Sequence, residues 1–212
     1  MKIGIFTLKP ESYTSQRLKD EAQKRGLAPQ IIPYDGLDFE INKAQTKIIF
    51  KDKDLGRFDL VIFGTAGPRF AVQRDYLLSL MLGQKSKILN AESLQKFPNI
   101  DKINQHFLFQ KTNIPFVESK VFGKKGRLIA SGLKYPLIAK DKHGSKGMRV
   151  FKLKDKSETK KLFSSFEISS FLIQPFLQAG EDIRVIVLGG KILGAMKRIA
   201  QPGQYLTNYS AG

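Results

Sequence analysis

Residues 135–150 read Y-P-L-I-A-K-D-K-H-G-S-K-G-M-R-V. A short apolar strand ends in Lys140, a glycine-punctuated basic loop follows, and a second strand begins at its far side. Gly144 and Gly147 free the backbone to turn tightly and to bring its N–H groups against a ligand. Lys140, Lys142, Lys146 and Arg149 surround the loop with positive charge. A flexible cationic loop that exposes its backbone is what a triphosphate needs. A basic hairpin on a protein surface has the same pattern, so neighbouring segments must decide between the two.

Upstream, strand signals recur at 2–8, 28–33, 39–42, 46–50, 59–63 and 87–90. Helical patterns cover 12–25, stopped by Gly26, and 70–82, with Leu77, Leu78, Met81 and Leu82 on one face. Strand and helix alternate, which predicts a doubly wound α/β domain over residues 1–96. F-P-N-I at 97–100 breaks the pattern, and Asp101 is a plausible N-cap for a helix through Lys111. Beyond Pro115 come short strands, one helix near 155–165, and strands at 171–176 and 183–188. Gly189-Gly190 then turns the chain into a further strand at 191–198. This second part reads as an α+β domain over 97–212.

Composition narrows the chemistry. With 212 residues the chain can hold two domains. It contains no cysteine, so disulfides, thiolate catalysis and zinc–sulfur sites are excluded. No apolar run approaches the roughly 18–20 residues that span a bilayer, and the reading is a cytoplasmic protein with no membrane partner. The net charge of +17, from 36 Lys+Arg against 19 Asp+Glu, favours anionic partners. There is no Walker-type G-x-x-x-x-G-K-[S/T] loop and no G-x-G-x-x-G fingerprint. The two histidines, His106 and His143, have no carboxylate cluster around them; His106 reads as part of a solvated helix face.

Lys102 and Lys140 are separated by a helix and a strand and could converge on one ligand. F-L-I-Q-P-F at 171–176 is a core strand or one whose backbone reads a nucleotide base; Pro175 leaves only its carbonyl for that purpose. In E-D-I-R-V-I-V-L at 181–188, Asp182 suits a ribose hydroxyl and Arg184 an acidic group; the bland alternative is a half-buried strand.

The order of these signals is more specific than any one of them. Lys102 opens a helix and Lys140 precedes K-x-x-x-G-S-x-G. Gln174-Pro175-Phe176, D-I-R-V-x-V-x-G-x-K-x-x-x-A-M-K-R at 182–198, and Y-L-T-N-Y-S-A-G at 205–212 follow. Over residues 59–212 the chain resembles the ATP-grasp superfamily, specifically the RimK-like amino-acid ligases, and the first strands and helices suit the pre-ATP-grasp domain of that family. The resemblance implies a lid subdomain at about 115–173 and the start of a C-terminal subdomain at 174–212.

It further implies that Lys102 and Lys140 hold ATP phosphates while Ser145, Lys146 and Gly147 close over them. Gln174, Pro175 and Phe176 would line the adenine pocket, Asp182 the ribose, and Leu206, Thr207 and Asn208 would approach the triphosphate. Arg198, with Lys140, would carry catalysis at the transferring phosphate, and Arg184 would meet substrate. The family's chemistry is ATP-dependent amide formation between a carboxylate, activated as an acylphosphate, and an amine such as that of glutamate. The partners implied are a small amino acid and a carboxylate-bearing peptide or protein, with oligomers possible. Two departures stand out: Pro175 where the family usually has Glu, and Arg149 where glycine is common. Magnesium would accompany ATP, but its ligands, an acidic residue and a Glu-x-Asn pair, are expected beyond residue 212, so the sequence reads as lacking the C-terminal part and its metal half. The competing readings are a basic nucleic-acid or ribosome-binding module, supported by lysines 152, 154, 156, 160 and 161, and a catalytically degenerate ATP-grasp protein, hinted at by Pro175.

Overall fold

The computed structural model describes residues 1–97, 101–144 and 149–202. The chain divides into two compact units, Met1–Asn99 and Ile100–Gly212.

In the first unit β1 (Lys2–Thr7) leads through α1 (Tyr13–Lys24) to β2 (Ala28–Pro33). Ser12 caps α1, its hydroxyl accepting the Ser15 N–H at 3.3 Å. Gly26 ends the helix at φ +69°, a conformation in which a Cβ would be strained. After β3 (Leu37–Ile41), β4 (Thr46–Phe50) and β5 (Lys53–Asp54) come β6 (Leu60–Phe63), α2 (Ala71–Gly83), β7 (Lys87–Ile88) and α3 (Ala91–Lys96). A parallel sheet runs in the order β2-β1-β6-β7. Period-two alternation sorts β1 between two cores. Ile3 and Ile5 pack with Ala22 of α1, and Phe6 packs with Leu77 and Met81 of α2. Gly4 shares the Phe6 side by the same alternation, and the position suits glycine because a Cβ there would stand 3.0 Å from the Phe6 ring and 3.1 Å from the Phe58 ring.

The strands near 39–42 and 46–50 exist but do not join this sheet. β3, β4 and β5 form a separate antiparallel sheet. The reason is local: a tight turn at 42–45, where the Asn42 N–H donates to the Gln45 carbonyl at 3.1 Å, joins β3 to β4, and Lys51-Asp52, at φ of 52° and 60°, joins β4 to β5, so neither connection has room for a crossover helix. Ile48 and the partly buried Phe39 and Phe50 tie this sheet to the Phe6 core.

In the second unit α4 (Lys102–Lys111) starts at the Asp101 cap, whose carboxylate accepts the Asn104 N–H at 2.8 Å. Its apolar residues are less sheltered than their pattern predicts, and Phe107 is 63% exposed. Then follow α5 (Lys125–Ala130), β8 (Leu137–Asp141), β9 (Val150–Leu153), α6 (Lys156–Ser165) and β10 (Phe171–Pro175). An antiparallel sheet runs β10-β8-β9. One face carries Leu137, Ala139 and Ile173 against Leu128 of α5 and Phe163 of α6. Phe171, 1% exposed, anchors this core through the Phe163 ring at 5.4 Å, a burial that stabilises by roughly 1.5–3 kcal/mol.

β11 (Glu181–Leu188) and β12 (Lys191–Ile199) form a two-stranded antiparallel hairpin around Gly189 and Gly190, at φ 56° and 75°. The sequence suggests half-burial here, but Ile183, Leu188 and Ile192 are about as exposed as Ile199, at 70–72%.

Candidate functional site

Alternation along β8 sends Ile138 and Lys140 to the face opposite the Leu137–Ala139 core. Lys140 is half-buried there, and its ammonium has no hydrogen-bond or ion-pair partner among the described residues. Burial first, and then the charge of Lys102, holds its pKa below the usual lysine value. Lys102 reaches the same place from the first turn of α4. Its Nζ donates to the Asp141 carbonyl at 2.8 Å and to the Gly144 carbonyl, and its own N–H donates to the Lys142 carbonyl at 3.1 Å. Burial also lowers the Lys102 pKa, against the opposing fields of Asp141 and Asp101. Two desolvated ammonium groups therefore converge where, among the described residues, no carboxylate hydrogen-bonds to either of them.

The nearest carboxylate is engaged elsewhere. Asp141 is 6% exposed and lies on the Leu137–Ala139 face. Its Oδ1 accepts the N–H groups of His143 at 2.8 Å and Gly144 at 3.1 Å, and its Oδ2 accepts from Arg149 at 2.9 Å. Burial pushes this carboxyl up, but the Arg149 guanidinium and the two N–H groups outweigh it and hold the pKa below its ordinary value. Arg149 sits at φ +56°, where glycine would be unstrained, and its guanidinium lies 5.3 Å over the Phe166 ring. Asp141 thus pins both ends of the loop. Sequence reasoning missed it because a lone Asp in a basic run has no spacing signature.

Gln174 shares the Lys140 face and pairs with Ile138, which in turn pairs with Lys152 of β9. It is 5% exposed, and its amide nitrogen meets the Ser119 hydroxyl at 2.7 Å and His106 Nε2 at 3.3 Å. His106 Nδ1 faces the Lys102 carbonyl at 2.6 Å, so Nδ1 carries the proton and Nε2 accepts from Gln174. This corrects the reading of His106 as a solvated residue. It ties the helix that bears Lys102 to the strand that bears Gln174. Pro175 ends β10 in an exposed position, and the Phe176 N–H donates to the Pro136 carbonyl at 3.1 Å. The Lys152 ammonium lies 3.6 Å from the centre of the Phe176 ring.

Asp182 and Arg198 face each other across the β11–β12 ladder and form a two-point ion pair, Nε to Oδ1 and NH2 to Oδ2, both at 2.6 Å. Arg184 is an exposed residue of the same hairpin, opposite Met196. Ser145, Lys146, Gly147, Leu206, Thr207 and Asn208 lie outside the described residues. Among the described residues no group of three His, Asp or Glu side chains is placed to hold a metal ion, and no helix is long and apolar enough to cross a membrane.

Residues 99–212 match the RimK-like ATP-grasp domain, and residues 1–71 match the RimK PreATP-grasp domain. A protein of Shewanella frigidimarina named "Probable alpha-L-glutamate ligase 2" is 26% identical over 228 residues, an overlap of 100% of this chain and 73% of the relative. The crystal structure of a RimK domain protein ATP-grasp from Sphaerobacter thermophilus superposes with a TM-score of 0.66 at 17% identity, over 92% of this chain and 72% of that one. The ATP-grasp ligase PsnB, complexed with a phosphomimetic variant of its minimal precursor, Mg and ADP, superposes with a TM-score of 0.60 at 17% identity, over 93% of this chain and 73% of its own. At these identities the two structures establish the fold.

Proposed function

We propose, from the fact that this chain belongs to the RimK-like ATP-grasp family of ATP-dependent ligases, that it joins a carboxylate on a peptide or protein to the amine of a small amino acid such as glutamate. One observation carries the reading: the half-buried Lys140 ammonium, beside Lys102, has no anionic partner among the described residues. Desolvated like charges favour whichever ligand neutralises both, and a nucleotide's phosphates have the charge and reach to do so. ATP supplies a phosphoryl group that activates the carboxylate as an acylphosphate, from which an amine displaces phosphate.

In this reading Lys102 and Lys140 bind the phosphates, helped by Ser145, Lys146 and Gly147 of the loop and by Leu206, Thr207 and Asn208. Gln174, Pro175 and Phe176 flank the base, with the Pro175 carbonyl free of any N–H neighbour on its own residue. Asp182 takes the ribose. Arg198 neutralises charge on the transferring phosphoryl oxygens, and Arg184 receives the acidic substrate. The division of labour follows a pre-ATP-grasp domain at 1–96 and an ATP-grasp domain at 97–212, with a lid at about 115–173. Magnesium is the expected companion of ATP, and among the described residues no cluster of acidic side chains is placed to hold it.

The test is equilibrium dialysis with ATP on the wild type and on Lys140→Ala. A charge-assisted contact contributes roughly 1.5–3 kcal/mol, so affinity should fall by about tenfold or more. Equal affinity in the two proteins would remove the loop from the site.

A further inference from the structure

The sheet β10-β8-β9 has two faces of different chemistry. One bears Lys140 and Gln174. The other is covered by α5 and α6, which pack on it through Leu128 and Phe163 and touch each other where Lys125 Nζ donates to the Phe163 carbonyl at 3.4 Å. The outer surface of this helix pair is strongly cationic. Lys124 and Arg127 are exposed on the α5 side, and Lys154, Lys156, Lys160 and Lys161 on the α6 side. None of these six forms an ion pair among the described residues. The acids that interrupt the run are spent on the helix end: Asp155 accepts the Glu158 N–H at 2.9 Å, and Glu158 accepts the Lys154 N–H at 2.7 Å. The hydrophobic layer of Leu128, Phe163 and Phe171 separates this surface from the Lys140 face, so it is a second anion-attracting region and not an extension of the first.

We infer that the outer face of α5 and α6 docks an acidic polypeptide segment, a run of glutamate or aspartate side chains. Charge complementarity carries the inference, and the absence of stacking groups selects the partner. Of the aromatic rings here, Phe163 is buried, Phe122, Phe151 and Phe166 are partly buried against the same core, and Phe166 carries the Arg149 guanidinium over its ring, so among the described residues the face offers no open ring on which single-stranded bases could stack. Five of the six cations are lysines, point charges that lack the planar fork with which arginine grips phosphate at two points. Flexible ammonium groups on two short helices suit carboxylates spaced irregularly along a mobile chain. The choice of glutamate rests on the ligase reading, since an enzyme that adds glutamate creates such a segment; the docking surface does not. A face that retains the growing acidic end keeps product near the site and favours repeated addition.

The experiment uses the whole chain and three probes labelled for fluorescence anisotropy: a deca-glutamate peptide, a single-stranded RNA of equal charge, and vesicles containing phosphatidylserine. The peptide should bind, and its affinity should fall steeply as added salt shortens the Debye length from about 10 Å at 0.1 M to about 3 Å at 1 M. Triple reversal Lys156→Glu, Lys160→Glu, Lys161→Glu should weaken the peptide by about tenfold or more, since each exposed contact contributes little alone. The milder Lys→Gln triple, with circular dichroism matching the wild type, should show a smaller loss in the same direction. ATP affinity should be unchanged in both triples. Peptide binding that ignores the substitutions, or RNA or vesicles bound more tightly than peptide at equal salt, overturns the inference. Failure of the wild type to bind ATP would instead sink the ligase reading and leave peptide docking standing.

Discussion

Lys140 and Arg198 are both cations on antiparallel strands of the second unit, and their circumstances are opposite. At the three-stranded sheet, Lys140 and the neighbouring Lys102 of α4 are desolvated together; Lys102 donates to two carbonyls, and among the described residues no carboxylate is bonded to either ammonium. In the β11–β12 hairpin, charge is balanced across the ladder: Arg198 with Asp182, and Lys197 with Glu181 at 2.6 Å. An anion reaching Arg198 must compete with a carboxylate already in place, whereas one reaching Lys140 displaces no carboxylate among the described residues. The lesson is that the number of cations says little; their solvation and their partners decide which of them wait for an anion.

The largest expected effect would break that contrast at Lys140. Lys140→Met should reduce nucleotide affinity by about tenfold or more while raising the melting temperature of the protein without nucleotide, because a buried unpaired charge is replaced by an apolar chain of similar length. The pH dependence carries the same signature. The folded-state pKa of Lys140 lies below the ordinary lysine value of 10.5, so between the lowered value and 10.5 the unfolded chain holds more protons. Stability should therefore rise with pH across that window. Thermal melts over that range should show a flatter slope in Lys140→Met. A lower melting temperature with an unchanged slope would mean that the wild-type ammonium is paired after all.

A second prediction concerns the loop's closing residue. Arg149→Ala loses the ion pair to Asp141 yet keeps the strained backbone at φ +56°, whereas Arg149→Gly loses the pair and relieves the strain. Denaturant unfolding should find the alanine variant less stable than the glycine variant by about 1 kcal/mol. The reverse order would show that residue 149 does not hold the left-handed backbone conformation. The smallest effect belongs to the hairpin: a double-mutant cycle on Asp182 and Arg198 should give only the weak coupling of an exposed ion pair, since the side chains are 38% and 25% exposed. A larger coupling would place the pair in a drier environment and weaken the contrast between the two regions.

Much of this was legible beforehand because it is local. The strands at 2–8 and 59–63, the Gly26 stop, the cap at Asp101, and the Gly189-Gly190 turn follow from periodicity and turn chemistry. The meeting of Lys102 with Lys140 was legible too, since one begins a helix and the other nears a strand's end. What could not be read depends on pairing across space. β3 and β4 have the same strand pattern as β1, and the tight turns at 42–45 and at Lys51-Asp52 give them, with β5, a separate sheet. α3 and α5, each six residues, are too short for a helical period to show. Asp141 and His106 take their importance from partners 8 and 68 residues away, Arg149 and Gln174.

The lowered proton affinity of Lys102 and Lys140 has a consequence for how any binding event would register. An anion settling beside them restores that affinity, so within the alkaline window the complex must draw protons from the medium. Heat measured in buffers of different ionisation enthalpy would then diverge, and the slope of that divergence would count the protons the two lysines recover.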